Sequence, residues 1–421
     1  MILALILFAV MYVFLLALPE KRSITALVAA ALFVLLGILP VGKVFGAINW
    51  NVIMMLAGTM VVVQLFIDSH MPMRMAELLL KIVPNVKWAI VALAVFSGVI
   101  SAFVDNVATV LMVAPIGMAV SKKIGVNPIP VIISIAVSSN LQGAATLVGD
   151  TTSILLGGYA NMSFNDFFWM LGKPGIAFAV ELGALATIPV LLYLFRRDKE
   201  PIDAKVETKV TNYVPSFLML GVVVALIVAS QFENKPEMTN GLICLVFALI
   251  GCLYEAFFMK DQTVWTRAWK SIDFHTLFLL IGLFTVIGGI TEAGVIDAIA
   301  DWFVKIGGNS LFMMYTLIVV ASVVISAFVD NIPYVATMLP VVQGIASAMG
   351  VAPYVLYFGL LIGATLGGNL TPVGASANIA GIGILQKEGY KVKTSDFLNI
   401  GVPFTLMAVL AGYIFIWFIW A

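Results

Sequence analysis

Charge is scarce in this sequence. Only 10% of its 421 residues are charged and 62% are hydrophobic, whereas an ordinary soluble domain is about 25% charged. So few charges cannot cover the core of a soluble fold of this length. Net charge is missing too: 22 basic residues balance 22 acidic ones, which leaves no basic patch for nucleic acid. Cysteine and histidine are nearly absent. Cys244 and Cys252 lie eight residues apart, ~12 Å along one helix, too far for a disulfide. With only His70 and His275 beside them, a structural zinc site is not expected, and no cofactor is. There is no His-Glu-x-x-His motif and no His near a repeated motif, which speaks against an intramembrane protease and an enzyme generally. What the sequence has in plenty is long apolar runs that do not alternate. These point to an all-α polytopic membrane protein rather than a barrel.

Apolar stretches of spanning length are Ile2–Leu18, Ile24–Leu39, Val52–Ile67, Trp88–Val104 with Val107–Val120, Ile129–Gly157 and Gly175–Phe195. After the mixed-charge stretch Arg196–Asn212 come Val214–Ser230, Gly241–Met259, Leu277–Ile290, Leu311–Val329 with Ile332–Ala348, Pro353–Leu385 and Ile400–Trp420. The first run lacks a basic start, and Pro19-Glu20-Lys21-Arg22 offers no cleavage site, so it reads as a retained span. Met71–Ile82 and Val295–Ile306 mix charged and apolar residues, as interfacial helices do. About ten transmembrane helices are expected.

The two halves are copies. Ile100-Ser-Ala-Phe-Val-Asp-Asn106 recurs letter for letter as Ile325-Ser-Ala-Phe-Val-Asp-Asn331. The offset of 225 then carries Pro115 to Pro340, Gly125 to Gly350, Pro128 to Pro353 and Gly149 to Gly374. Such internal repeats are a signature of secondary transporters. The organisation is therefore a first repeat over 1–195 (hairpin region 88–120, broken helix 129–157), a linker over 196–212, and a second repeat over 213–421 (hairpin region 311–348, broken helix 353–385). Each Asp-Asn pair interrupts one long hydrophobic run, and it reads either as a tight turn between two full spans or as the tip of a re-entrant hairpin. Either way each half crosses an odd number of times, so the second repeat is inverted. Of the 22 Lys and Arg residues, eighteen then fall on one side and four (Lys43, Lys173, Lys235, Lys305) on the other. By the positive-inside rule both termini lie outside the cell membrane and the linker is cytoplasmic.

Polar groups occupy mid-span positions in four places: Asp105-Asn106, Asp330-Asn331, the stretch Asn140–Ser153 and the stretch Gly367–Asn378. A carboxylate at such depth costs at least about 2.5–3.5 kcal/mol. Asp105 and Asp330 therefore call for a cation, a proton or strong hydrogen bonds, and they are the candidate Na⁺ ligands. Simple helix capping is the alternative. Asp150 corresponds to Ala375, an asymmetry that suggests a coupling or substrate residue, against a water-exposed loop position. Glu181 offers a proton relay or plain snorkelling; Glu255 and Glu292 read as interfacial. Gly, Thr and Pro in mid-span loosen a helix, free carbonyls and aim helix dipoles at one spot. The binding set expected here is Asp105, Asn106, Asp330, Asn331, Thr146, Gly149, Asp150, Thr151, Thr152, Ser153, Asn369, Thr371, Gly374, Ser376 and Asn378. No lysine or arginine is expected in it, which disfavours phosphate-like and sulfate-like substrates.

The stretch Val329-Asp-Asn-Ile-Pro-Tyr-Val-Ala-Thr-Met-Leu-Pro340 resembles the second hairpin of the ArsB/NhaD/P-protein branch of the ion transporter superfamily. Leu366–Ile379, with its Gly-Ala-Ser-Ala-Asn core, and Gly143–Asp150 are similar to that branch's broken helices. The likeness spans nearly the whole chain. It implies two re-entrant hairpins, a scaffold and a moving transport part, elevator-like alternating access and, often, a homodimer. Two departures stand out. Many members have Pro-Pro-Asn after Gly-Asp, where this chain has Thr151-Thr152-Ser153. Dicarboxylate-transporting relatives carry Ser-Asn-Thr at both tips, where this chain has Asp105-Asn106-Val107 and Asp330-Asn331-Ile332. Two carboxylates would repel a polycarboxylate.

The expected function is secondary active transport of a small inorganic ion or solute, of the arsenite-efflux or sodium/proton-exchange kind, coupled to Na⁺ or H⁺. A Na⁺-coupled symporter of organic anions such as citrate or dicarboxylates is the alternative. A passive pore would show neither saturation nor exchange.

Overall fold

The computed structural model describes residues 1–202, 207–232, 234–308 and 310–421, with the side chains of residues 124, 306 and 307 left aside. Residues 203–206 of the expected linker thus lie outside the described residues. In lipid every backbone polar group must find its partner within the chain, and the apolar runs accordingly wind into helices. The first half forms α1 (Ile2–Ala17), α2 (Arg22–Leu35), α3 (Val41–Ala47), α4 (Trp50–Asp68), α5 (Met71–Ile82), α6 (Val86–Ser101), α7 (Asn106–Ile124), α8 (Pro128–Gly143), α9 (Thr151–Tyr159) and α10 (Ile176–Leu194). The second half forms α11 (Val214–Ala229), α12 (Thr239–Phe257), α13 (Val264–Ser271), α14 (Phe274–Glu292), α15 (Val295–Gly307), α16 (Leu311–Ser326), α17 (Asn331–Met349), α18 (Tyr354–Gly367), α19 (Ser376–Lys387) and α20 (Thr394–Trp420). A two-residue strand pair, Trp169–Met170 with Lys173–Pro174, closes the turn before α10.

Among the described residues, six helices are long and apolar enough to cross a membrane: α4, α10, α12, α14, α17 and α20. The bent pair α1 and α2, meeting at 119°, makes a seventh if it is one span. Val86–Ser101, Val214–Ala229, Leu311–Ser326 and Tyr354–Leu370 are shorter apolar helices. Large apolar side chains line the outer surface, Phe217, Phe257, Phe258 and Phe418 among them. An exposed apolar surface of that extent suits hydrocarbon, not water. The protein is a multi-pass helical membrane protein.

Helices sort into two groups by what they pack against. α1, α2, α4, α11, α12 and α14 lie on one another. Small residues bring their backbones close: Gly58 of α4 seats against Cys244 of α12, and Gly282 of α14 against Ala26 of α2. The other group comprises α6, α7, α8, α10 and their counterparts α16, α17, α18 and α20, with α19 packed on α7 and α8. α9 touches both groups, through α4 on one side and α17 and α18 on the other.

The polar interruptions found in the sequence are where helices stop. α7 and α17 each start at an Asp-Asn pair and end at a glycine with positive φ, Gly125 (76°) and Gly350 (66°), the usual left-handed helix stop. α8 ends at Gly143 and α9 resumes at Thr151; α18 ends at Gly367 and α19 resumes at Ser376. In the flank Pro19–Arg22 between α1 and α2, Pro19, Glu20 and Lys21 are exposed, and Arg22 alone is drawn toward the interior. The Arg22 side chain is only 20% exposed.

Candidate functional site

Each Asp of an Asp-Asn pair begins a helix and satisfies its first free amides. Asp105 Oδ2 accepts from the backbone nitrogens of Val107 (3.0 Å) and Ala108 (3.2 Å). Asp330 Oδ1 accepts from that of Ile332 (3.0 Å). The non-helical stretches beside these tips are built alike in both halves. Thr146 Oγ1 donates to the Ala102 carbonyl, and Thr371 Oγ1 to the Ala327 carbonyl. Ser153 Oγ donates to Gly143 O (3.1 Å), and Asn378 Nδ2 to Gly368 O (3.0 Å). All four pairs keep the offset of 225. Gly149 and Gly374 explain why no larger residue serves at the crossing point. A Cβ on Gly149 would lie 2.6–2.8 Å from the carbonyls of Gly143, Ala102 and Ser101. One on Gly374 would lie 2.6–2.9 Å from those of Gly368, Ala327 and Ser326.

A chain of amides joins the halves. Asn106 Nδ2 donates to Asn140 Oδ1 (2.9 Å). Asn140 Nδ2 in turn donates to Thr365 O (2.7 Å) and Asn369 Oδ1 (3.1 Å), and Asn369 Nδ2 to Val137 O (2.8 Å). Asn140 and Asn369 are fully buried, so these bonds are made where an unmade one is most costly. Thr152 Oγ1 ties the same seam to Asp150 Oδ2 (3.0 Å) and lies 3.2 Å from Thr365 Oγ1.

Beside this seam is a cavity of about 380 Å³. It is lined by Asp105, Asn106, Gly149, Asp150 and Thr151 of the first half, and by Asn331, Ser376 and Asp273 of the second. No lysine, arginine or histidine is among the described lining residues. Asp150 is 3% exposed; its oxygens accept only from Thr151 N (2.7 Å) and the Thr152 hydroxyl. Asn331 is also buried, and its amide nitrogen has no hydrogen-bond partner among the described residues. In the first half that atom's equivalent bonds Asn140, but the position matching Asn140 is Thr365. A second cavity, about 660 Å³, is lined by residues of α9, α12, α14 and α17, and by Asn49, Asn51 and Lys235. Ile154 lines the first cavity and the adjacent Leu155 the second.

The expected residues thus divide. Asp105, Asn106, Gly149, Asp150, Thr151, Asn331 and Ser376 border the cavity. Thr146, Thr152, Ser153, Asn369, Thr371, Gly374 and Asn378 shape the breaks behind it. Asp330 corrects one expectation. The site was expected to hold no basic residue, yet Arg22 Nη1 lies 2.9 Å from Asp330 Oδ2, and Ser376 Oγ donates to the same oxygen (3.2 Å). Arg22 was counted only among the eighteen basic residues of the cytoplasmic side, because basic residues at span ends ordinarily sit in water. Sequence reasoning also passed over Asn140 as a ligand and Asp273, the cap of α14. Asn140 stood inside the polar stretch already marked, and that was the available signal. Glu181 lies exposed on the outer face of α10, away from the cavity. Glu255 and Glu292, read as interfacial, each have a basic partner: Glu255 pairs with Arg267 (2.7 Å) and Glu292 with Lys43 (2.7 Å).

Comparison with known proteins fits this architecture. The fold is shared with the YdaH transporter of Alcanivorax borkumensis (TM-score 0.62, 13% identity, 89% of this chain and 86% of that one). It is shared also with Neisseria gonorrhoeae MtrF, described as one of a class of antimetabolite efflux pumps (TM-score 0.58, 15% identity, 96% and 85%). Among curated sequences, the 46 kDa membrane protein of Mycobacterium leprae is 29% identical over 427 residues (99% of this chain, 98% of that one). The uncharacterized transporter Rv2685 of Mycobacterium tuberculosis is 28% identical over 408 residues (94% of each). The human P protein is 24% identical over 444 residues, covering 87% of this chain and 53% of that protein. The sequence pattern of the CitMHS family, described as citrate transporter, matches residues 4–363 and again residues 238–421. The chain therefore belongs to the CitMHS citrate transporter family, and it is a membrane transporter rather than an enzyme.

Proposed function

We propose that this transporter couples solute movement to Na⁺ or H⁺ at Asp105 and Asp150. The observation that carries the reading is the cavity at the meeting of the two halves, where Asp105, Asp150 and Asp273 gather with no basic residue lining it. Acidic groups in a low-dielectric space hold a cation or a proton, or they are costly. Among the described residues, no three His, Cys, Asp or Glu side chains converge on one point as metal ligands. A bound Na⁺ would therefore complete its shell with carbonyl and amide oxygens freed where the helices break. Asn106 and Asn331 are placed to contribute.

The cycle we infer is elevator-like. The group containing α6–α8 and α16–α18 moves against the group containing α4, α12 and α14, and exposes the site to one cavity and then the other. The glycine contacts between α4 and α12 and between α14 and α2 fit a fixed scaffold. α6 and α16, at 16 residues each, are ~24 Å long, short of the ~30 Å hydrocarbon core. Such arms suit re-entrant hairpins tipped by Asp105 and Asp330, in two repeats of opposite orientation with both termini outside.

The cargo in this reading is a small inorganic ion or neutral solute, of the arsenite or sodium/proton-exchange kind. The family match favours a second cargo, an organic anion such as citrate symported with Na⁺. In so acidic a cavity, that anion has to arrive already neutralised by cations or protons. Reconstituted protein, given labelled Na⁺, arsenite, citrate or a dicarboxylate under imposed Na⁺ or pH gradients, separates the readings. Saturable flux driven by either gradient is expected. Citrate uptake driven by Na⁺ selects the second cargo, and flux indifferent to both gradients overturns the coupling.

A further inference from the structure

The two tips share the Asp-Asn pair, and each aspartate caps the helix that follows, yet the charge set against each differs. Beside Asp105 its own half supplies a second acid, Asp150, and no basic residue is among the described residues lining the cavity there. Beside Asp330 its own half supplies no such acid, since Ala375 stands at the position that matches Asp150, and the chain sets a guanidinium 2.9 Å away. Arg22 is held for this task. Its Nε reaches the Leu15 carbonyl (3.3 Å) at the end of α1, and Tyr12, further up the same helix, bonds Pro333 O (2.8 Å) and Thr337 Oγ1 (2.5 Å) in the first turns of α17. Asp330 is 7% exposed. A pair this sheltered holds its partners in place, because either charge left alone would be strongly unfavourable.

We propose that Arg22 is a tethered counter-ion that fills, from within the chain, the cation position at the second tip, so that the transporter binds its coupling cation at the first tip alone. This rests on the reading of Asp105 as the coupling site and adds to it a stoichiometry. Two mirrored aspartates would ordinarily suggest two cation sites; one of them is already occupied by a side chain. Arg22 thereby becomes a specificity-determining residue, since its charge sets how many mobile cations the cycle carries.

The test is charge displacement by proteoliposomes on a solid-supported membrane, after a jump in Na⁺ and, separately, in H⁺ concentration, with no other solute. Wild type responds to one of the two, and Asp105→Asn loses that response. The double variant Arg22→Gln/Asp330→Asn removes both members of the pair and keeps the wild-type response. Asp330→Asn alone leaves Arg22 unpaired and impairs the protein, which a lower thermal-unfolding midpoint detects. Arg22→Gln alone frees a second acid and displaces more charge per transporter. Should the double variant be as silent as Asp105→Asn, with an unfolding midpoint close to wild type, the inference is overturned while the coupling reading stands. A wild type silent to both cations overturns the coupling reading and this inference with it.

Discussion

The first and second tips differ less in shape than in charge. Threonine clamps, glycine crossings and capping aspartates are reproduced 225 residues apart, so the backbone treats the halves as equals. The ionisable side chains do not. Both tip regions border one cavity; the first half brings Asp150 to it as a second acid, while in the second Asp330 is set against Arg22 and an alanine stands at the matching position. Symmetry of fold is maintained by local geometry, which tolerates few alternatives. Symmetry of charge depends on single side chains such as Ala375 and Arg22, which can change without moving a helix. A duplicated architecture therefore need not duplicate its chemistry.

That contrast can be broken most severely at Asp105. Asp105→Asn removes an acid from the tip that has no internal cation. Coupling-ion affinity is expected to fall ~10- to 100-fold, the scale of one charge-assisted interaction of about 1.5–3 kcal/mol, read as the midpoint of ion-driven flux. Next comes the seam that holds the halves together. Asn140→Ala takes the partner from Asn106 Nδ2 and from Asn369 Oδ1, and about 1–3 kcal/mol per stranded group is expected, seen as a lower unfolding midpoint in detergent. The glycine crossings sharpen the comparison instead of breaking it. Gly149→Ala and Gly374→Ala should each cost about 1–3 kcal/mol, and by similar amounts, because the carbonyls they meet are the same in both halves; a large inequality would show that the backbones are not equivalent. The smallest effect is expected at an exposed pair that lines neither cavity. Lys43 of α3 pairs with Glu292 at the end of α14. Their side chains are 56% and 45% exposed, so Lys43→Gln should cost at most ~1 kcal/mol and leave ion dependence unchanged, as flux at varied Na⁺ and pH would report.

The repeat, the interrupted helices and the acidic tips were legible in the sequence because each is a local departure from an apolar run. Asp105 and Asn106 needed no partner to be noticed. Arg22 was not legible for two reasons. Its partner is 308 residues away, and a basic residue at the end of a span normally marks a membrane face, so its ordinary meaning concealed its particular one. Asp273 escaped for the same reason, being a helix cap at a span boundary. The two-group packing was hidden as well. Gly58 against Cys244 and Gly282 against Ala26 are contacts between single small residues, and nothing in their neighbourhoods distinguishes them from other glycines. The number of crossings was less legible, because hydropathy does not tell a bent or broken helix from a whole one.

The amide seam has a consequence for biogenesis. Asn140 obtains its acceptors from Thr365 and Asn369, residues synthesised more than two hundred positions later. Until the ribosome has delivered them, the Asn140 amide of the nascent first half lacks both acceptors that it has in the finished fold. Assembly in the bilayer must therefore remain open-ended until late in translation, and the final helices act as the clasp that closes a structure begun near the amino terminus.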